Sequence, residues 1–327
     1  MREGNRRGFL RGAALLGLSA GLPSGADAQD YPSRTIRIIV PLAPASGVDI
    51  MARKIAEPLS QRLGQPVIVD NKPGAGGVIG TGDMVRSPRD GHTLAMVAST
   101  HVINPFFLKS IPFDSLADIT PITVVGSVAM ALVCHPSVPA SSVADIIAMA
   151  KARPGEVDYG SSGTGSVTHL AGVMFTREAG IDMKHVPYRG TGPLANDLIA
   201  GHVKIGFLAV QVVAPYVEAG SMKVLAVSTP QRDPRLPDTP SFAESGLPNY
   251  SLDSWVAMIG PKDLPASITE RLYREVKAIG ETERMLADFA AQATRPILSD
   301  PATAKAFFAS ELEKHRQLVA ASGAKGE

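Results

Sequence analysis

Two loops of the sequence are built from small and hydroxyl-bearing residues, and each stands between a predicted strand and a predicted helix. They cover residues 41–49 and 161–166. Glycine and alanine let a ligand approach the backbone, while serine and threonine hydroxyls donate hydrogen bonds. A helix that begins at such a loop directs its free N–H groups and the positive end of its dipole outwards. Together the loops predict a site where backbone amides hold a small anion without an arginine.

Helix capping explains how the first loop could be held in place. Ser46 is predicted to be the N-cap of the following helix, and Asp49, three residues later, would complete a capping box. Either loop alone also fits an ordinary capped turn, but one loop in each half of the chain favours two opposed halves of one site. The candidate ligand-binding residues of the two loops are Leu42, Ala43, Ala45, Ser46, Gly47, Ser161, Gly163, Thr164, Gly165 and Ser166.

Three further residues lie at the ends of predicted strands. Thr100 and His101 follow the strand 93–97, and ligands of open α/β sheets bind beyond the carboxyl ends of strands. Capping of a turn is the alternative role for both. Tyr188 ends the strand 184–187, where it would form a wall of the site or pack in the core.

The sequence gives little support for the motifs of enzymes or of metal-binding proteins. A G-x-G-x-x-A match at 190–195 contains Pro193 and lacks a nearby acidic partner, which argues against a dinucleotide site. The seven histidines show neither H-x-H nor H-E-x-x-H spacing. Ser166 and His169 are three residues apart, but no third group to orient them can be identified. We therefore predict no catalytic residue, no cofactor and no metal.

The elements that must position these loops alternate between short β-branched runs and longer stretches with helical periodicity. In the first half this βαβαβ order predicts a parallel sheet with helices on both faces, and the second half repeats the theme. Residues 229–248 are rich in Pro, Asp and Ser and predict an irregular return crossing. The predicted strands are 36–40, 67–69, 93–97, 130–134, 184–187, 203–207 and 223–227, and the predicted helices are 50–63, about 79–85, 143–151, 167–179, about 266–280 and 301–322.

The first 28 residues are typical of a secretory signal peptide. Arg6 and Arg7 precede a short apolar stretch, 13–22, and small residues at Ala26 and Ala28 mark a cleavage site. The twin arginine predicts the Tat route, cleavage near Ala28 and a periplasmic location. Cleavage would remove four arginines and two acids and change the net charge from +1 to −1. A nearly neutral chain offers no electrostatic footprint for nucleic acid.

The remaining chain of about 300 residues exceeds the usual size of one hydrophobic core and predicts two lobes. It contains one cysteine, Cys134, within an apolar run. A single thiol cannot form an internal disulfide, and core packing is the better interpretation of this residue.

Many ordered stretches of the chain resemble the substrate-binding receptors of tripartite tricarboxylate transporters, the Bug or TctC-like family. The resemblance spans essentially the whole predicted mature chain. The matching stretches are 31–34, 40–49, 63–67, 71–77, 90–94, 101–105, 159–169, 185–190, 225–228, 237–240 and 244–248.

This resemblance implies a type II periplasmic-binding-protein fold, with two α/β lobes and a ligand cleft between them. It places 30–128 and 253–327 in lobe one and 129–252 in lobe two, and it assigns a ligand carboxylate to the loops 43–47 and 161–166. The implied function is that of a periplasmic receptor that captures a small organic carboxylate for a membrane permease, and we expect a monomer. A sensing subunit for a signalling partner is the alternative, and an enzyme on this fold is a weaker one.

Two departures from the family pattern concern the far end of the ligand. An aromatic ring usually stands where this chain has Leu42, and many members carry an aspartate within the segment that matches 207–210. Here that segment is apolar, and Leu208 is a candidate wall residue. An apolar wall fits a plain mono- or dicarboxylate, or an aromatic acid, better than an amino acid.

Overall fold

The computed structural model describes residues 31–323, so the predicted signal peptide lies outside the described part of the chain. Nearly all of the predicted elements are present within one or two residues of their expected bounds. The strands are β1 (Ile36–Val40), β2 (Val67–Asn71), β3 (Thr93–Ala98), β4 (Ile119–Val128), β5 (Met130–Cys134), β6 (Asp158–Ser161), β7 (Lys184–Pro187), β8 (Ile205–Ala209), β9 (Lys223–Val227), β10 (Ser254–Pro261) and β11 (Thr294–Pro296). The helices are α1 (Gly47–Leu63), α2 (Val78–Val85), α3 (Thr100–Ile103), α4 (Val143–Ala152), α5 (Val167–Ala179), α6 (Thr191–Ala200), α7 (Val210–Glu218), α8 (Ala266–Gly280), α9 (Glu283–Ala291) and α10 (Pro301–Ser322). None of these helices is both long and apolar enough to cross a bilayer.

The first sheet has six strands in the order β11-β4-β10-β3-β1-β2. β1 pairs in parallel with β2 and β3, as the βαβαβ pattern predicts. The sheet as a whole is mixed, because β10, which was not predicted from the sequence, inserts between β3 and β4 and runs antiparallel to both. This strand returns from the second sheet late in the chain, and no crossover helix between neighbouring strands sets its direction.

The second sheet has five strands in the order β7-β6-β8-β5-β9. β6 is parallel to β7 and β8, whereas β5 runs antiparallel to β8 and β9. The chain enters this sheet between Val128 and Met130 and leaves it after Val227. Each sheet carries its own helices and buried clusters, which gives the two α/β lobes.

Helix α10 connects the cores of both lobes. Ala304 and Phe308, near its start, belong to the buried cluster of the first lobe around Trp255. Leu318 and Val319, near its end, belong to the buried cluster of the second lobe. The last turns of the helix therefore pack on the second lobe, although its first turns belong to the first.

Candidate functional site

A cavity of about 290 Å³, which we call the front cavity, lies where the two lobes meet. It receives residues from both loops predicted from the sequence and from the starts of α1, α5, α6 and α7. Others come from the segments that cross between the lobes and from the α9–β11 region. None of its lining residues carries a formal charge. They are Leu42, Ser46, Gly47, Val48, Met51, Ala98, Val128, Met130, Ser162, Val167, Thr168, Thr191, Ala209, Gln211, Ser254, Val256, Gln292 and Thr294.

The first loop is held by the cap of α1. Ser46 is the N-cap, and its hydroxyl accepts a hydrogen bond from Asp49 N–H at 3.3 Å, which confirms the predicted cap. The capping box is shifted by one residue, because the Asp49 carboxylate accepts from Ala45 N–H at 2.8 Å instead of from Ser46. Ala45 has a φ of 62°, so the chain turns sharply just before the cap.

Asp49 is almost fully buried and links the first loop to the sheet. Its carboxylate accepts from Arg53 at 3.0 Å, and Arg53 also donates to Asn71 at the end of β2. Asn71 in turn donates to the carbonyl oxygen of Leu42 at 3.2 Å. Burial raises the pKa of Asp49, but the bonds from Arg53 and Ala45 outweigh it and leave the pKa below its usual value. The chain of bonds orients the loop without placing a charge in the front cavity.

The second loop is shaped by its own hydroxyl groups. Thr168 Oγ1 accepts from Ser162 N–H at 2.8 Å and lies 2.8 Å from the Ser162 hydroxyl. Ser166 is the N-cap of α5: its hydroxyl donates to Gly163 O at 2.6 Å and accepts from His169 N–H at 3.2 Å. Ser162 and Thr168 line the front cavity, whereas Ser166 acts on the backbone of the loop.

Two stacked imidazole rings support the second loop through hydrogen bonds. The rings of His169 and His185 lie 4.0 Å apart, and Gly165 N–H donates to His169 Nδ1 at 3.2 Å. The hydroxyl of Ser161 lies 2.6 Å from His185 Nε2 and is fully buried. Burial lowers the pKa of each histidine to about 4, so both rings are neutral at neutral pH. Ser161 therefore belongs to the support of the loop and lies outside the lining.

Four helices begin at the front cavity. The first N–H groups of a helix have no partner within it, and the helix dipole places about half a positive charge there. Four such termini around an uncharged cavity favour the binding of a small anion. The residues from these helix starts are Gly47 and Val48 of α1, Val167 and Thr168 of α5, Thr191 of α6 and Gln211 of α7.

Thr100 and His101 lie behind the first loop, against a separate small space bounded by Pro41, Gly76 and Asn104. His101 Nε2 is 2.8 Å from Ser115 O, and the ring stacks on Phe113. Burial lowers the pKa of His101 to about 4. The two residues thus support the first loop and do not line the front cavity.

The other residues predicted from the sequence take a range of positions. Ala43, Ala45 and Thr164 are exposed on the two loops, outside the cavity lining. Gly163 and Gly165 have φ values of 134° and 78°, a backbone conformation that side chains disfavour. Tyr188 donates to Asp197 at 2.8 Å and packs against the core. Leu208 is fully buried, and its neighbour Ala209 lines the cavity in its place.

Several lining residues carried no recognisable signal in the sequence. Val128, Met130 and Ser254 lie where the chain crosses between the lobes, and Gln292 and Thr294 lie at the end of α9 and the start of β11. No motif marks these residues. Thr191 could have been found, because it follows a predicted strand and precedes Pro193 in the first turn of a helix.

Comparisons with known proteins identify the family of this chain. Residues 51–324 match the model of the tripartite tricarboxylate transporter family receptor. The protein BugT of Bordetella pertussis is 34% identical over 317 residues, which cover 95% of this chain and 97% of BugT. This match confirms the resemblance seen in the sequence.

Solved structures show the same architecture. The R. palustris protein Rpa4515, solved with adipate, is 30% identical with a TM-score of 0.75, covering 91% of this chain and 100% of that one. A TctC solute-binding protein from Polaromonas, solved without ligand, is 26% identical with a TM-score of 0.81, covering 89% and 99%. The two-lobed fold and the sequence together show that this chain belongs to the receptor family of the tripartite tricarboxylate transporters.

Proposed function

We propose that this protein is a periplasmic receptor that captures a small dicarboxylate in the front cavity and delivers it to a membrane permease. The observation that carries the proposal is the meeting of four helix N-termini around a cavity whose lining has no charged side chain. The ligand's own carboxylates would then be the only charged groups in the cavity. The front cavity lies near the lower end of the range for small-molecule sites, roughly 300–1,000 Å³.

The two loops would hold one carboxylate group of the ligand. The N–H groups at the starts of α1 and α5 and the hydroxyls of Ser46, Ser162 and Thr168 offer donors from opposite lobes. A ligand held from both sides stabilises the closed arrangement of the lobes more than the open one. This gives a membrane partner a way to distinguish loaded from empty receptor.

The remaining lining is mostly apolar and suits the carbon chain of a ligand. Met51, Met130, Ala209 and Val256 supply this surface, and Gln211 adds an amide that can bind a second carboxylate. No acidic side chain lines the cavity, so an ammonium group of an amino acid would find no counter-charge there. These features favour a plain dicarboxylate, of which adipate, found in Rpa4515, is one example.

Isothermal titration calorimetry with adipate, citrate, terephthalate, aspartate and glutamate tests the proposal. We expect saturable binding of a plain dicarboxylate and at least tenfold weaker binding of both amino acids, since an unpaired ammonium would be desolvated. Tight binding of aspartate or glutamate would contradict this ligand class.

A matched pair of variants tests the location. Thr191→Trp places a large ring at the mouth of the front cavity, on an exposed residue that caps no helix, and should abolish adipate binding. Ser310→Trp, on the exposed surface of α10, should bind adipate like the wild type. Equal affinities for the two variants would place the ligand elsewhere.

A further inference from the structure

A second cavity, of about 490 Å³, is larger than the front cavity; we call it the rear cavity. It lies between the segment that follows β9 and the α9–β11 region. Its lining residues are Ala129, Thr229, Pro230, Gln231, Arg232, Asp233, Pro234, Arg235, Leu286, Phe289, Ala290, Ala293, Thr294, Arg295 and Pro296.

The two cavities lie back to back. Val128 and Met130 line the front cavity, while Ala129 between them lines the rear one. Thr294, which pairs with Val128 in the sheet, borders both cavities. Neighbouring side chains of an extended chain point to opposite faces. A single layer of backbone therefore separates the two cavities.

One wall of the rear cavity is apolar. Leu286, Phe289, Ala290 and Ala293 form a continuous surface on and after α9. Leu286 is 44% exposed, which is unusual for a large apolar side chain in the described part of the protein. An exposed apolar surface inside a concavity is typical of a ligand site.

The rest of the lining carries a positive charge. The lining contains three arginines and one acid, Asp233. The carboxylate of Asp233 accepts a hydrogen bond from the backbone N–H of Arg235 at 2.9 Å. Arg232 is paired with Glu244, and Arg295 donates to Ser127 at 3.3 Å and lies 3.9 Å from the Asp253 carboxylate. Within residues 31–323, the guanidinium of Arg235 has no hydrogen-bond or ion-pair partner, so it is free to bind an anion.

We propose that the rear cavity binds an amphipathic organic anion, with a carboxylate head on an alkyl chain or a ring. The head would pair with Arg235, and the hydrophobic body would lie against Leu286 and Ala290, the exposed apolar residues of the lining on α9. A cavity of this volume suits a small molecule, whereas a stable protein partner needs a surface of about 800 Å². The site is separate from the front cavity and does not depend on the ligand proposed for it.

Octanoate is the probe, and octanol of the same chain length is the uncharged control. We expect saturable octanoate binding in calorimetry, weakened by added salt, and at least tenfold weaker binding of octanol. Arg235→Gln should weaken octanoate binding three- to tenfold and reduce the effect of salt, because the charge partner is lost. Equal affinities for octanoate and octanol would contradict the role of the arginine.

Two substitutions on α9 locate the site. Ala290→Trp fills the rear cavity and should weaken octanoate binding more than tenfold, while Ala287→Trp, on an exposed face outside the lining, should leave it unchanged. Thr191→Trp, which blocks the front cavity, should also leave octanoate binding unchanged. Loss of octanoate binding in Thr191→Trp but not in Ala290→Trp, or no saturable binding to the wild type, would overturn the proposal.

Discussion

The hydroxyl of Ser127 donates a hydrogen bond to a carboxylate oxygen of Asp253 at 3.2 Å. The other carboxylate oxygen accepts from the hydroxyl of Ser228, which itself accepts from Met130 N–H at 2.8 Å. These residues stand at the end of β4, before β10 and after β9, where the chain crosses between the lobes. One half-buried carboxylate thus joins the crossing segments.

Asp253→Ala should destabilise the protein by about 2–4 kcal/mol, because the buried Ser127 and Ser228 hydroxyls would lose their acceptor. Urea denaturation monitored by circular dichroism measures this difference. Asp253→Asn keeps one side-chain acceptor oxygen and should lose less stability. If Asp253→Ala has the same urea midpoint as the wild type, the carboxylate does not stabilise the crossing segments.

The neutral pair His169 and His185 predicts a loss of stability in acid. Burial lowers the pKa of each to about 4, whereas an unfolded histidine titrates near 6.5. Between these values the unfolded chain binds more protons than the folded protein, so stability falls as the pH falls from about 6.5 to about 4. We expect a contribution of about 1–3 kcal/mol from each histidine, measured by urea denaturation at pH 7 and pH 4.5.

The double variant His169→Gln with His185→Gln provides the control for this pH dependence. Glutamine does not titrate, so the slope of stability against pH should become smaller, leaving the part that comes from the buried His101 and His315. An unchanged slope would show that other groups cause the acid sensitivity.

Gly172→Ala should strain the core of the second lobe. A Cβ at this position would lie 2.0 Å from Cε2 of Tyr159, a buried ring that is also packed against His185 and Phe207. We expect a loss of about 1–3 kcal/mol and a lower thermal midpoint, because the ring has no free space.

Gly192→Ala is the matched control for this substitution. A Cβ there meets no atom within 4 Å, and the residue lies in the first turn of α6. Its effect should be neutral or slightly stabilising, because alanine restricts the unfolded chain. Similar midpoints for both variants would argue against the contact with Tyr159.

Gln211→Glu should weaken adipate binding at least tenfold. This change adds a negative charge to a lining that has none, and like charges repel strongly where water is excluded. Gln211→Leu, which has a similar size but no charge, should lose less affinity. Calorimetry of both variants measures the difference in affinity for adipate. Equal losses of affinity would show that the missing amide, and not the added charge, weakens binding.

The sequence by itself determined the local features of this protein. The cap at Ser46, the cap at Ser166 and the helices 266–280 and 301–322 were all predictable, because such signals lie within a few neighbouring residues. The two loops of the front cavity were predictable for the same reason. The family was also predictable from the sequence, because its motifs occur in order along the chain.

Only the tertiary structure decided how these parts meet. The insertion of β10 between β3 and β4 brings Val256 beside Ala98, residues far apart in the chain, and both line the front cavity. The His169–His185 stack, the contacts of Asp253 and the rear cavity also join distant segments. Pairings of this kind depend on the packing of whole elements, so no short stretch of sequence encodes them.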